Sequence, residues 1–144
     1  MGSITESMVK DIYLNAIKVY SNSLTMQSAI DELERNHSMN RGSAKDYLLN
    51  YRCLLDGIKY KRTMNEYATK YFIYHILKDR GLQSLKNALS AVQQHVDYYD
   101  SLGHGNLKSI RAILENYYRI LSNKEHLNYE DRILNNSIFM GDIL

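Results

Sequence analysis

Proline is absent from all 144 residues of this sequence, and glycine occurs only seven times. Sheet proteins join short strands through turns that are rich in both residues. A helix interior, in contrast, excludes proline, because proline lacks a backbone N–H and clashes with the preceding turn. The two scarcities therefore favour helices joined by short turns.

Cysteine is also scarce, with Cys53 as its single occurrence. One cysteine cannot form an internal disulfide, and five scattered histidines without a cysteine pair argue against a tetrahedral zinc site. We therefore predict a reducing, cytoplasmic compartment and no cofactor. No apolar run approaches the roughly 18 residues of a membrane span, and the N-terminus lacks the apolar block of a signal peptide. We expect neither secretion nor insertion into a membrane.

The short motifs that identify catalytic sites are missing as well. The sequence has no glycine-rich phosphate loop, no Gly-x-Ser-x-Gly elbow and no His-Glu-x-x-His pair. His75 and His95 lie beside aromatic or apolar neighbours, as core histidines do, and His104 lies between two glycines, where a turn is expected. We predict that the chain is not an enzyme. A small catalytic site built around one of these histidines stays open as an alternative hypothesis.

Apolar residues recur at helical spacing through most of the chain, which predicts an all-α protein, a compact bundle of about six or seven helices. The length fits a single domain over residues 1–144, with an N-terminal helical pair at 1–36, a core at 43–121 and a docking helix or tail at 125–144. The predicted helices run from Glu6 to Ser21, from Thr25 to about Asn36, from Ser43 to Gly57, from Thr63 to Arg80, from about Ser84 to Leu102, and from Asn106 to about Leu121.

Local signals set the ends of these helices. Ser43 and Asp46 have the spacing of a capping box, in which the hydroxyl accepts from a first-turn amide and the carboxylate reaches back. Gly57 stands where a left-handed residue would end the third helix, and Gly81 is expected to terminate the fourth. The residues expected to cap the helix N-termini are Thr5, Thr25, Ser43, Thr63 and Asn106.

Charge is unevenly distributed along the chain. The stretch from Arg41 to Arg80 holds nine of the eighteen Lys and Arg residues and six of the thirteen Tyr residues, and its net charge is +5. The rest of the chain carries −3, which gives the formal total of +2. A basic surface interleaved with aromatic residues is typical of proteins that bind nucleic-acid phosphates.

Three cations and one aromatic residue lie in the turn between the third and fourth predicted helices. Because a turn exposes side chains that are not committed to the core, we expect Lys59, Lys61 and Arg62 to contact DNA phosphates. Tyr60 would stack on a base or wedge between bases. The residues expected to extend this track along the third helix are Arg52, Lys45 and Arg41.

Five segments between roughly Arg41 and Leu121 form a recognisable set. They are Gly42-Ser43-Ala44-Lys45-Asp46-Tyr47, Gly57-x-x-Tyr60-x-Arg62-Thr63, Tyr71 to Ile76, Gly81 with Leu85-Lys86-Asn87-Ala88-Leu89, and His95-Val96-Asp97-Tyr98-Tyr99. Together they resemble a small helical domain at the N-terminus of bacterial HNH-type endonucleases, often described as 5-methylcytosine-specific restriction enzymes.

This resemblance implies a DNA-facing accessory or recognition module of a restriction or defence system. No HNH nuclease segment follows within the 144 residues, so cleavage is not carried over. The chain is expected to be either a domain of a longer enzyme or a stand-alone relative.

A different function is compatible with the same sequence. The basic face can be merely solvated, and the amphipathic tail can instead serve as a contact for protein interaction or oligomerisation. In that case self-association or partner binding would involve Leu134, Ile138 and Phe139.

Overall fold

The computed structural model describes residues 3–103 and 105–122, and within these ranges every regular element is an α-helix. The prediction of an all-α protein with about six or seven helices is confirmed by six helices in these ranges. They are α1 (Glu6–Tyr20), α2 (Met26–His37), α3 (Arg41–Asp56), α4 (Glu66–Arg80), α5 (Leu82–Ser101) and α6 (Lys108–Ser122). The predicted tail helix at 125–144 lies outside the described residues.

Two compact units follow each other along the chain, residues 1–53 and residues 54–144. We call them the N-terminal unit and the C-terminal unit. Their boundary falls within α3, whereas the sequence suggested subdivisions near residues 36 and 43. The single domain over the whole chain stays a prediction.

The caps of the first two helices are those that the sequence predicts. The hydroxyl of Thr5 accepts from the Met8 amide at 3.2 Å, and that of Thr25 accepts from the Ser28 amide at 3.0 Å. Each cap satisfies one of the amides that a helix N-terminus leaves without an intrahelical partner, which stabilises the helix by about 1 kcal/mol.

The caps of α3 and α4 differ from the prediction. Asn40 accepts from the Ser43 amide at 3.0 Å, so α3 begins at Arg41 and the capping box expected at Ser43 is wrong. Asn65, rather than Thr63, caps α4 by accepting from the amide of Ala68 at 2.8 Å. In both cases an asparagine close to the predicted cap takes the role, since asparagine is at least as good an N-cap as serine or threonine.

The predicted glycine stops are confirmed. Gly57 follows the last residue of α3 with a φ of +71°, and Gly81 follows α4 with a φ of +92°. Only glycine adopts such backbone angles without a steric cost from Cβ. α5 begins directly after Gly81, two residues before the predicted start, and α6 begins at Lys108.

Each unit has its own apolar core. In the N-terminal unit the rings of Tyr13 and Tyr51 meet edge to face with centroids 5.4 Å apart, beside fully buried Ile12 and Leu33. In the C-terminal unit α4, α5 and α6 pack on one another. Its largest fully buried side chains are Tyr117, Phe72, Leu54, Met64, Ile73, Ile76, Leu77, Leu85 and Leu89. Burial of one such side chain stabilises the fold by about 2 kcal/mol.

Candidate nucleic-acid interface

The segment between α3 and α4, residues 57–65, contains no helix and carries the cations singled out by the sequence. We call it the α3–α4 connection. Lys59 and Lys61 are exposed, whereas Tyr60 between them is only 4% exposed. Burial therefore alternates over these three residues, and the buried tyrosine lies between two lysines at the surface.

The burial of Tyr60 corrects the sequence-based prediction for this residue. Its ring stacks on the imidazole of His95, with centroids 4.4 Å apart and planes 10° apart. A ring that is packed on a core histidine cannot also stack on a base, so the prediction that Tyr60 contacts DNA through its ring is wrong. The tyrosine fixes the connection from the inside instead.

His95 is 1% exposed and holds the backbone of the same connection. Its Nδ1 lies 2.7 Å from the carbonyl oxygen of Tyr60, and its Nε2 lies 2.8 Å from the hydroxyl of Thr63. Because a carbonyl oxygen only accepts, Nδ1–H donates and Nε2 accepts from the hydroxyl. Burial lowers the pKa of His95 below its ordinary value, which keeps this neutral form at pH 7.

Two further side chains of α5 bind the beginning of the connection. The amide of Asn87 donates to the carbonyl of Leu55 at 3.0 Å, and that of Gln94 donates to the carbonyl of Gly57 at 2.9 Å. The last carbonyls of a helix have no intrahelical partner, so these bonds complete the C-terminus of α3. Together with His95, they attach both the start and the middle of the connection to one helix.

Tyr98, one turn beyond Gln94 on α5, completes the surface. The Nζ atom of Lys59 lies 4.9 Å from the centroid of its ring, and that of Lys61 lies 5.7 Å away. Both distances are within the range of a cation–π interaction. Sequence reasoning did not select Tyr98 for the site, although Tyr98 lies in one of the segments that carry the family resemblance.

The remaining basic residues of the predicted track are divided between the two units. Arg62 is exposed on the α3–α4 connection, whereas Arg41, Lys45 and Arg52 belong to the N-terminal unit. Lys45 and Arg52 are exposed there. A continuous phosphate-binding track through both sets of residues stays a prediction.

Arg41 differs from the expectation for a phosphate contact. Its Nη1 lies 2.9 Å from a carboxylate oxygen of Asp31 and 2.8 Å from one of Glu34. Both hydrogen bonds raise the pKa of Arg41, and the bond to Asp31 has the larger effect. Two carboxylates thus compensate this guanidinium, and it adds no net positive charge to the surface.

Lys59 and Lys61 are in the opposite electrostatic situation. Among residues 3–103 and 105–122, neither lysine has a carboxylate within ion-pair distance, and both ammonium groups lie over the ring of Tyr98. Two acidic residues lie near Tyr98 on α5. Asp100 forms an ion pair with Arg111, whereas Asp97 accepts from the neutral amide of Gln93 at 3.0 Å, which does not offset its charge. Two lysines against this one carboxylate leave a surplus of positive charge at Tyr98.

A metal site is one alternative to the basic surface. The described part of the chain contains no cluster of three His, Cys, Asp or Glu residues able to hold a metal ion. None of its helices is both long and apolar enough to cross a membrane. The ring of His75 stacks on that of Tyr71, with centroids 4.0 Å apart. His104 and the proposed tail contacts Leu134, Ile138 and Phe139 lie outside the described residues.

The fold and the site thus define an all-α protein with an exposed basic connection held on one helix. Compared with models of known protein families, with curated proteins and with solved structures, the chain matches none.

Proposed function

We propose that the protein is a DNA-binding module that contacts phosphates through Lys59, Lys61 and Arg62. The observation that carries this proposal is the way in which α5 holds the α3–α4 connection. Three exposed cations occur within four residues. The segment that bears them is held by the buried ring of Tyr60 and by the hydrogen bonds that Tyr60 and Thr63 form with His95.

A fixed connection favours binding for an energetic reason. Ordering a flexible loop on association costs free energy, about 0.5–1.5 kcal/mol for each rotamer-rich side chain that is immobilised, besides the backbone cost. In this connection the backbone is already ordered, so much of that cost is met during folding. Cations that only confer solubility would not require such a scaffold.

The resemblance to the N-terminal domain of HNH-type restriction endonucleases supports the same assignment. In this proposal the chain is a DNA-facing module of a restriction or defence system and has no catalytic activity of its own. Phosphate contacts alone give sequence-independent affinity. Recognition of a modified cytosine would require base contacts in addition.

Fluorescence anisotropy with a labelled DNA duplex tests the proposal. Three phosphate contacts release about three counterions, so affinity should fall roughly fortyfold between about 50 and about 200 mM salt. Changing Lys59, Lys61 and Arg62 to alanine should weaken binding and remove most of this salt dependence. The matched control changes three exposed cations on α5 and α6, Lys86, Lys108 and Arg119, and removes the same net charge.

The comparison of the two triple variants decides the proposal. If only the first variant loses affinity, the α3–α4 connection is the contact surface. Equal losses in both would mean that total charge, not this connection, determines binding. No binding by the wild-type protein at the lower salt concentration would exclude the function.

A further inference from the structure

Two ammonium groups converge on one aromatic ring in the C-terminal unit. The Nζ atoms of Lys59 and Lys61 lie 4.9 and 5.7 Å from the centroid of Tyr98, whose ring is half-buried. Tyr60, between the two lysines, is buried, whereas both lysines are exposed and their ammonium groups lie over the Tyr98 ring on α5.

This arrangement brings like charges together. Two cations near one ring repel each other, and a cation–π contact at an exposed site contributes only about 0.5–1 kcal/mol to stability. The acidic neighbours on α5 offset the two charges only in part, because Asp100 is paired with Arg111 and Asp97 supplies a single carboxylate. The site has a surplus of positive charge beside a half-buried aromatic ring, and an anion that carries a flat ring of its own would complement both.

An unpaired nucleotide combines these two features. Its phosphate would take the ammonium groups away from the ring, and its base would stack on the ring that they leave. Aromatic side chains beside a basic groove are the usual way in which proteins hold single strands. A duplex conceals the faces of its bases within the helical stack, so a surface ring reaches them only in a single strand.

We propose that Tyr98 is a stacking platform for an unpaired base of single-stranded DNA, with Lys59 and Lys61 on the adjoining phosphates. The inference rests on the proposed function and deepens it, since it names the form of DNA that this surface prefers. It also assigns to Tyr98 the aromatic contact that buried Tyr60 cannot make.

Anisotropy with three labelled ligands tests this inference: an oligothymidine, an abasic oligonucleotide of the same length, and a duplex. Replacing Tyr98 by alanine should weaken binding of the oligothymidine by about fivefold or more, the loss expected for one base stacked on an aromatic ring. Binding of the abasic strand and of the duplex should change less than about twofold, since their contacts are to phosphates. Tyr98→Phe keeps the ring and should bind all three ligands like the wild type.

Circular dichroism of both variants before titration establishes that they are folded. Unchanged affinity of Tyr98→Ala for oligothymidine, or an equal loss for the oligothymidine and the abasic strand, would overturn the inference. If salt-sensitive duplex binding persists in that case, the proposed function stands without it. A wild-type protein that binds none of the three ligands would overturn both.

Discussion

The imidazole of His95 lies flat against the ring of Tyr60, with centroids 4.4 Å apart, and its Nδ1–H donates to the carbonyl of that same tyrosine at 2.7 Å. One side chain thus holds both the ring and the backbone of the residue between two exposed lysines. The position of the basic surface depends on this pair.

Replacing His95 by alanine should therefore destabilise the protein. The change removes the stacked contact and two hydrogen bonds and leaves a cavity, so we expect a loss of about 3 kcal/mol in the free energy of unfolding. Urea denaturation followed by circular dichroism measures this loss. Lys86→Ala, an exposed change on the same helix, should alter stability by less than about 0.5 kcal/mol. A loss in His95→Ala no greater than in this control would contradict the role of the histidine.

The protonation of His95 predicts a pH dependence of stability. Burial lowers its pKa in the folded state, so the unfolded chain binds the proton more readily than the native protein does. The stability that it contributes is therefore present above the unfolded pKa of about 6.5 and is lost as pH falls through the folded pKa. Urea denaturation at about pH 7.5 and about pH 5, one above and one below the unfolded pKa, measures the change in the free energy of unfolding.

Other groups also titrate over this interval, so the wild type is compared with His95→Gln, which retains hydrogen-bonding capacity but takes up no proton. We expect a smaller decrease in stability for the variant. An identical decrease in both proteins would show that His95 does not contribute to the acid sensitivity.

Asn87 and Gln94 should each contribute a smaller amount to stability. Truncation to alanine leaves the carbonyl of Leu55 or of Gly57 without its side-chain donor, which costs about 1 kcal/mol for each residue. Gln93→Ala is the control, because its hydrogen bond joins two side chains at the surface. Chemical denaturation of the three variants compares them, and equal stabilities would refute the attachment of the connection through α5.

Gly57 tests the backbone geometry at the start of the connection. At a φ of +71° an alanine is strained, and we expect Gly57→Ala to cost about 1–2 kcal/mol of stability. The cost is conformational rather than steric, since an added Cβ would lie 3.5 Å from the Cβ of Asn87, an ordinary contact. Gly57→Asn should be less destabilised, because asparagine tolerates left-handed angles better. Thermal unfolding ranks the two, and the reverse order would contradict this explanation.

The features predicted correctly from the sequence are those that depend on neighbouring residues. The caps at Thr5 and Thr25 and the stops at Gly57 and Gly81 require only a side chain or a backbone angle within one turn. The start of α3 was missed because Asn40 and Ser43 are both suitable caps, and local rules do not rank them.

The errors at the candidate site involve partners that are distant in sequence. Whether Tyr60 is exposed depends on His95, 35 positions later, and no periodicity in an irregular segment reveals that contact. The charge of Arg41 is compensated by Asp31 and Glu34 on another helix. A count of charges identified the basic region, but which cations are uncompensated depends on tertiary packing.

The central claim is that the α3–α4 connection contacts DNA, and NMR chemical-shift mapping tests it most directly. An ¹⁵N-labelled sample of the full chain is titrated with an unlabelled oligonucleotide. We expect the largest shifts at the backbone amides of residues 58–63 and at that of Tyr98, and we expect them to disappear in the Lys59, Lys61 and Arg62 triple variant. Shifts at other amides with none in this segment, or no shifts at a DNA excess, would contradict the account.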